Sequence, residues 1–138
     1  MTTLVDTGPL VSAFARRETK FKRWAEEILS AAPLPLVTCE PVITEACHML
    51  GSAERILEAI ERKLIVCPLR LTECSAEVKS LMAKYADQPM DLADACLVHL
   101  YSTYREGTAR IATLDRNDFT VYRTRKGLRI DCLFPPQR

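Results

Sequence analysis

Four acidic side chains stand where an ionised carboxylate is costly. Asp6 closes the short apolar run Thr2-Thr-Leu-Val5. Glu45 interrupts Pro41-Val-Ile-Thr-Glu-Ala-Cys47, Asp94 lies inside Met90-Asp-Leu-Ala-Asp-Ala-Cys-Leu-Val98, and Asp115 follows Ile111-Ala-Thr-Leu114. A carboxylate in apolar surroundings must be paired or bind a cation. Neither Glu45 nor Asp94 has a basic partner close in sequence. A set of carboxylates without cations suits a hard divalent ion such as Mg²⁺ or Mn²⁺. Each residue also has a plainer use. Asp6 and Asp91 suit helix N-caps, Asp94 a first-turn acid beside the helix dipole, and Glu45 the solvent side of an amphipathic helix. Asp115 and Asp118 suit turns.

The elements that must position these residues follow from periodicity and breakers. Thr2–Val5 reads as a strand. Thr7-Gly-Pro9 reads as a turn into a short helix over 10–15, and 20–32 as a helix whose stripe is Phe21, Trp24, Ala25, Ile28 and Leu29. A buried strand is expected at 36–39 and a helix from Glu40-Pro41 to Leu50, ended by Gly51. Ser52 caps a helix over 53–62, a strand follows at 64–67, and Thr72 caps a helix to about Tyr85. Residues 87–90 form a loop, Asp91 starts an apolar helix to about Tyr104, and 110–113 is a fourth strand. Residues 115–118 read as a turn, 119–122 equally as a helical turn or a strand, and 128–131 as a weak fifth strand. Short apolar strands alternating with helices predict one α/β domain over 1–138, a parallel sheet of four to five strands covered by helices on both faces. With right-handed crossovers, Asp6 and the turn after Thr113 then share one edge of that sheet.

Taken together, Leu4-Val-Asp-Thr-Gly-Pro-Leu10, Ile43-Thr-Glu-Ala46, Asp91-Leu-Ala-Asp-Ala95 and Thr113-Leu-Asp-Arg-Asn-Asp-Phe119 resemble a PIN-domain protein. The resemblance runs over nearly the whole chain and is nearest to the small toxins of VapBC-type toxin–antitoxin pairs. It implies that Asp6, Glu45, Asp94 and Asp115 form an acidic metal pocket for Mg²⁺ or Mn²⁺, with Thr7, Asp91, Thr113 and Asp118 as accessory residues. It further implies metal-dependent hydrolysis of RNA phosphodiesters, a cognate antitoxin and a homodimer. The apolar side of the helices near Leu50, Ile56 and Ile60 is the expected dimer surface. Two departures stand out. Asp91 offers a second acid one turn before Asp94, so which of them faces the metal stays open. Position 117 is Asn, so any fifth ligand would be Asp118. The rival functions are a nuclease of RNA maturation or of DNA, and a non-cleaving module that binds RNA or protein.

The bulk properties exclude several classes. A net charge of +1 supplies no global field for nucleic acid, so basic contacts must be local. Two clusters offer them: Arg16, Arg17, Lys20, Lys22 and Arg23, and Arg123, Arg125, Lys126 and Arg129. The six Cys are scattered, with no C-x-x-C and no signal peptide, which reads as reduced, mostly buried thiols of a cytoplasmic protein. No run approaches the ~20 apolar residues of a membrane span. His48 and His99 do not have the spacing of one zinc site.

Overall fold

The computed structural model describes residues 1–137. Its centre is β1 (Thr2–Val5), in which Thr3, Leu4 and Val5 are all buried. Successive strand residues point to opposite faces, so consecutive burial means that both faces are covered. The same holds for Ile111 and Ala112 in β4 (Ala109–Ala112). Around these lie β2 (Leu36–Val37), β3 (Ile65–Val66) and β5 (Cys132–Leu133), in the order β3-β2-β1-β4-β5, every pair parallel. Leu4 sits opposite Val37 on one side and Ile111 on the other. The parallel α/β sheet of four to five strands expected from the alternation is the one observed, with five strands.

The strand order has a consequence for chemistry. From β1 the chain winds outward through β2 and β3, then returns to the other side of β1 for β4 and β5. Adjacent strands whose crossovers leave in opposite directions open a crevice at their carboxyl ends, where α/β sheets bind ligands. Here that crevice lies between the ends of β1 and β4, marked by Asp6 and Thr113.

Among the described residues, seven helices close the structure. α1 (Thr7–Phe14) packs against α2 (Lys22–Ala31) and α3 (Glu40–Leu50). α4 (Glu54–Glu61) meets β3, and α5 (Leu71–Lys84) packs on α6 (Leu92–Ser102). α7 (Arg116–Phe119) is one turn after β4. Most of α6 is buried, with Ala95, Cys96, Leu97 and Val98 fully inaccessible. Among the described residues, no helix is long and apolar enough to cross a membrane. All six cysteines are free thiols; Cys39, Cys74 and Cys96 are buried and the other three partly so.

Several boundaries differ from the sequence reading. Thr7-Gly8-Pro9 is the first turn of α1, not a turn before it. Asp6 caps the helix at Thr7, and Pro9 falls where a missing N–H costs little. Thr72 does not cap α5, which starts at Leu71 after Arg70 with no side-chain cap. The fifth strand lies at Cys132–Leu133, beyond the expected 128–131. Residues 124–128 instead form a turn, with Gly127 at φ 79° and the Thr124 carbonyl accepting from Gly127 N–H at 2.9 Å. Only after that turn does the chain come alongside β4, as β5. Ile56, assigned to a dimer surface, is 1% exposed within the protein's own core. The exposed apolar residues of α3 and α4 are Met49 and Leu57.

One close approach fixes the loops over the crevice. A Cβ on Gly8 would lie 2.7 Å from both Cγ and Cδ1 of Leu114. Gly8 is thus required by contact between the start of α1 and the segment carrying Asp115. Gly8→Ala is expected to destabilise by about 1–3 kcal/mol, as overpacking does. Denaturant melts of Gly8→Ala, Leu114→Ala and the double variant check this: Leu114→Ala should restore most of the stability lost in Gly8→Ala.

Candidate metal centre

β1 delivers Asp6 to the crevice and α1 starts directly after it. Asp6 Oδ1 accepts from the Thr7 N–H at 2.8 Å, and Oδ2 accepts from the Thr113 hydroxyl at 2.7 Å. The Thr113 oxygen in turn accepts from Asp115 N–H at 3.0 Å. One buried hydroxyl therefore couples the acid after β1 to the acid after β4. Asp115 caps α7, its Oδ1 accepting from Asp118 N–H at 3.0 Å. Asp91 caps α6, accepting from Asp94 N–H at 2.8 Å. Three helix N-termini thus meet the same carboxylates, and the positive ends of their dipoles favour negative charge there.

These residues line one open pocket of about 300 Å³: Asp6, Thr7, Glu45, Asp91, Asp94, Asp115 and Asp118, with Gly8, Met49, Pro89 and Leu114 as its uncharged wall. Each member of the expected acidic quartet is present, and so are the accessory Thr7, Asp91 and Asp118. Thr113 lies buried behind Asp6. Within the pocket the tightest group is Asp94, Asp115 and Asp118, each offering a carboxylate oxygen within 4.8 Å of the others. Asp6 and Glu45 lie outside that trio. Asp118, read from sequence as a turn residue, belongs to it, and its Oδ1 also accepts from Gln88 Nε2 at 3.0 Å. Asp94 is the member of α6 in the trio, while Asp91, whose Oδ1 caps the helix, lines the pocket outside it.

Sequence reasoning missed Tyr122. Its side chain is fully buried, packed edge-on against Tyr85 and Phe119, and its hydroxyl donates to Asp94 Oδ2 at 2.9 Å. Nothing local to 119–122 signals that partner, because the two residues are distant in the chain. Burial, with the charges of Asp6 and Asp91, pushes the Asp94 carboxyl up to about 8, against the pull of the Tyr122 hydrogen bond. Burial raises Asp6 to about 6, with Glu45 and Asp115 adding to the rise and the Thr113 and Thr7 bonds opposing it. Asp115 is raised as well, chiefly by burial.

The donor set fits a hard divalent ion. It is all oxygen, and among the described residues no Lys or Arg lines the pocket. The spread of the trio compares with two metal–oxygen bonds, ~4.2 Å for Mg²⁺ and up to ~5 Å for Ca²⁺. The buried Thr7 hydroxyl has no hydrogen-bond partner among the described residues, so it has bonding capacity left for a ligand or its waters. Neither histidine belongs to a metal-binding group among the described residues.

The basic residues divide. Arg16 and Arg17 are exposed and line a groove of about 380 Å³ with Arg55, and Met49 lines both that groove and the acidic pocket. Lys20 and Arg23 are exposed nearby in the chain. Lys22 is spent on the carbonyls of Ala13 and Ala15 and on Glu26. Arg123 donates to the carbonyls of Thr120, Val121 and Tyr122. Arg125 lies away from the acidic pocket, near the far end of α6.

Comparison with known proteins adds two findings. The family described as PIN domain matches residues 3–124. Ribonuclease VapC26 of Mycobacterium tuberculosis (strain ATCC 25618 / H37Rv) is 30% identical over 126 residues, covering 87% of this chain and 91% of that protein.

The crowded carboxylates set a pH dependence. The folded chain holds protons on Asp94 up to about 8 and on Asp6 up to about 6, against 3.8 for the free side chain. Between these limits the unfolded state binds fewer protons, so stability falls as pH rises. In chelator, the melting temperature is expected to drop from pH 5 to pH 8. Asp94→Asn should melt higher than wild type at pH 8 and show a shallower decline. A melting temperature that rises over this range would contradict the clustering.

Proposed function

The chain belongs to the PIN-domain family, and from that premise we propose that it is a metal-dependent endoribonuclease, the toxin of a type II toxin–antitoxin pair. The observation that carries the reading is the meeting of Asp6, Glu45, Asp94, Asp115 and Asp118 at the β1/β4 crevice, without a basic partner among the described residues. A binding module gains nothing from carboxylates that repel phosphate. The ribonuclease name of the relative supports RNA as substrate. The whole chain, 1–138, is read as one PIN unit, since β5 lies beyond the matched segment yet pairs with β4.

In this reading Asp94, Asp115 and Asp118 would hold Mg²⁺ or Mn²⁺, with Asp6 completing the charge of the set. When bound, such an ion lowers the pKa of a water and neutralises charge on the phosphate. The protein's own groups do the positioning. Thr113 and Thr7 fix the Asp6 carboxylate, Tyr122 fixes Asp94, and the α7 N-terminus fixes Asp115. Glu45, exposed on α3 at the pocket wall, orients the attacking water. Arg16 and Arg17 take the phosphates beside the cut, since RNA must be held by cations, and Arg23 and Lys20 extend that face. The partners are an RNA substrate, a cognate antitoxin and a second copy of the chain, in the cytoplasm.

Asp6→Asn keeps the shape of the side chain and removes its charge. It is expected to lower Mg²⁺- or Mn²⁺-dependent RNA cleavage by about a hundredfold or more, as loss of ligands or their supports does, and to abolish growth arrest on expression. Mapping of new RNA ends, with and without the neighbouring gene product, checks the reading. Full cleavage by folded Asp6→Asn protein, or by wild type in chelator, would sink it.

A further inference from the structure

A second concentration of charge lies at the other end of α6. There Tyr104, Arg105, Thr124, Arg125, Lys126 and Arg129 surround a cavity of about 670 Å³ with one acid, Glu106, among its lining residues. All four basic side chains are exposed, and among the described residues none is in an ion pair. Three of them ride on a turn that is held in shape. Thr124 N–H donates to the Leu128 carbonyl at 2.9 Å, Leu128 N–H donates to Thr124 Oγ1 at 3.0 Å, and Arg123 pairs with Arg129 in an antiparallel bridge. Ile130 anchors the turn in the core.

The cavity and the acidic pocket are joined by the same elements. α6 starts beside Asp91 and ends at Ser102, a span of about 16 Å at ~1.5 Å per residue. β4 runs back from Ala109, in the cavity, to the segment carrying Asp115. The segment 118–124 has Asp118 in one site and Thr124 in the other. A single strand lying along segment 118–124 would run from one site to the other.

We propose that this cavity is an RNA exosite that grips backbone phosphates of the strand whose scissile bond lies in the acidic pocket. The proposal rests on the nuclease reading for the identity of that strand. Cations interleaved with an aromatic ring match a single-stranded nucleic acid, which presents phosphates to the cations and bases to the ring. An acidic peptide would use the cations and leave the Tyr104 face without a counterpart. The exosite also answers a physical need. Carboxylates repel RNA until metal is present, so affinity must come from cations set apart from the cut.

The test uses the full chain and the variant Arg125→Glu/Arg129→Glu, whose sites are exposed and whose melting temperature should match wild type. A fluorescein-labelled single-stranded RNA long enough to reach both sites is titrated in chelator, with a trinucleotide as control. The long RNA is expected to bind about tenfold more weakly to the variant, and the slope of log affinity against log salt to fall by roughly 1.4, two contacts' worth on a single strand. In metal, KM for the long RNA should rise with kcat unchanged, while trinucleotide cleavage stays the same. Photocrosslinks from the wild type should map to Tyr104 or the 124–129 turn. Equal binding by both proteins, crosslinks elsewhere, or displacement of RNA from the turn by polyglutamate more readily than by RNA of equal charge would overturn the exosite. If no RNA is cut in any metal while chelator binding and crosslinks behave as expected, the grip stands and the nuclease reading falls.

Discussion

The structure depends on one hydrogen bond between neighbouring strands that are far apart in the chain. The Thr113 hydroxyl donates to Asp6 and accepts from the backbone of Asp115. It sits at the point where the winding of the sheet reverses, and with the Gly8–Leu114 contact it ties together two loops that the topology otherwise leaves to diverge. Both residues are buried, and an unmade bond there would leave a buried carboxylate oxygen and a buried hydroxyl at a cost of about 1–3 kcal/mol each. Register between β1 and β4 is therefore held at the site itself, by the group that also orders its charge.

That arrangement must tolerate several like charges in a small volume. Helix starts supply part of the answer: Asp6, Asp91 and Asp115 are each tied to a backbone N–H at the head of a helix. Capping and charge clustering are thus the same geometry. The two readings of Asp6 and Asp115 that compete on sequence grounds do not compete in space, because a carboxylate has about four lone-pair sites and a cap uses one. The rest of the charge is unrelieved, as the raised Asp6 and Asp94 carboxyls record.

The legible part of this site was the part carried by local context. A carboxylate inside an apolar helix, such as Asp94, or after a buried strand, such as Asp6, is conspicuous because its neighbours in sequence are its neighbours in space. Strands β1 and β4 were legible for the same reason. Asp118 was underrated because a turn explains an Asp equally well, and its membership of the trio depends on α7, a single turn that periodicity cannot detect. Tyr122 and Gln88 reach Asp94 and Asp118 across the tertiary fold. β5 is two residues long, and its position is set by the register of β4 and by the turn at Gly127, neither of which is written in its own residues. Ile56 was misplaced because an apolar stripe shows that a face is buried but not against what.

A net charge of +1 conceals a strongly divided surface. α6 has acids at its N-terminus, Asp91 and Asp94, and leads at its C-terminus into Arg105. This is the order that complements the helix dipole, so helix stability alone accounts for those residues. It does not account for Arg125, Lys126 and Arg129, which belong to a separate turn and meet Arg105 only through the tertiary fold. Nor does it account for Arg16, Arg17 and Arg55 on the other groove. Charges gathered from different elements around concave surfaces, with a cluster of acids in the crevice, make a local field that whole-chain charge cannot reveal. A polyanion approaching such a surface is attracted at two places and repelled at a third. It can settle over the carboxylates only when their charge is compensated, so the same division that weakens metal-free binding makes cation loading a condition for engaging the crevice.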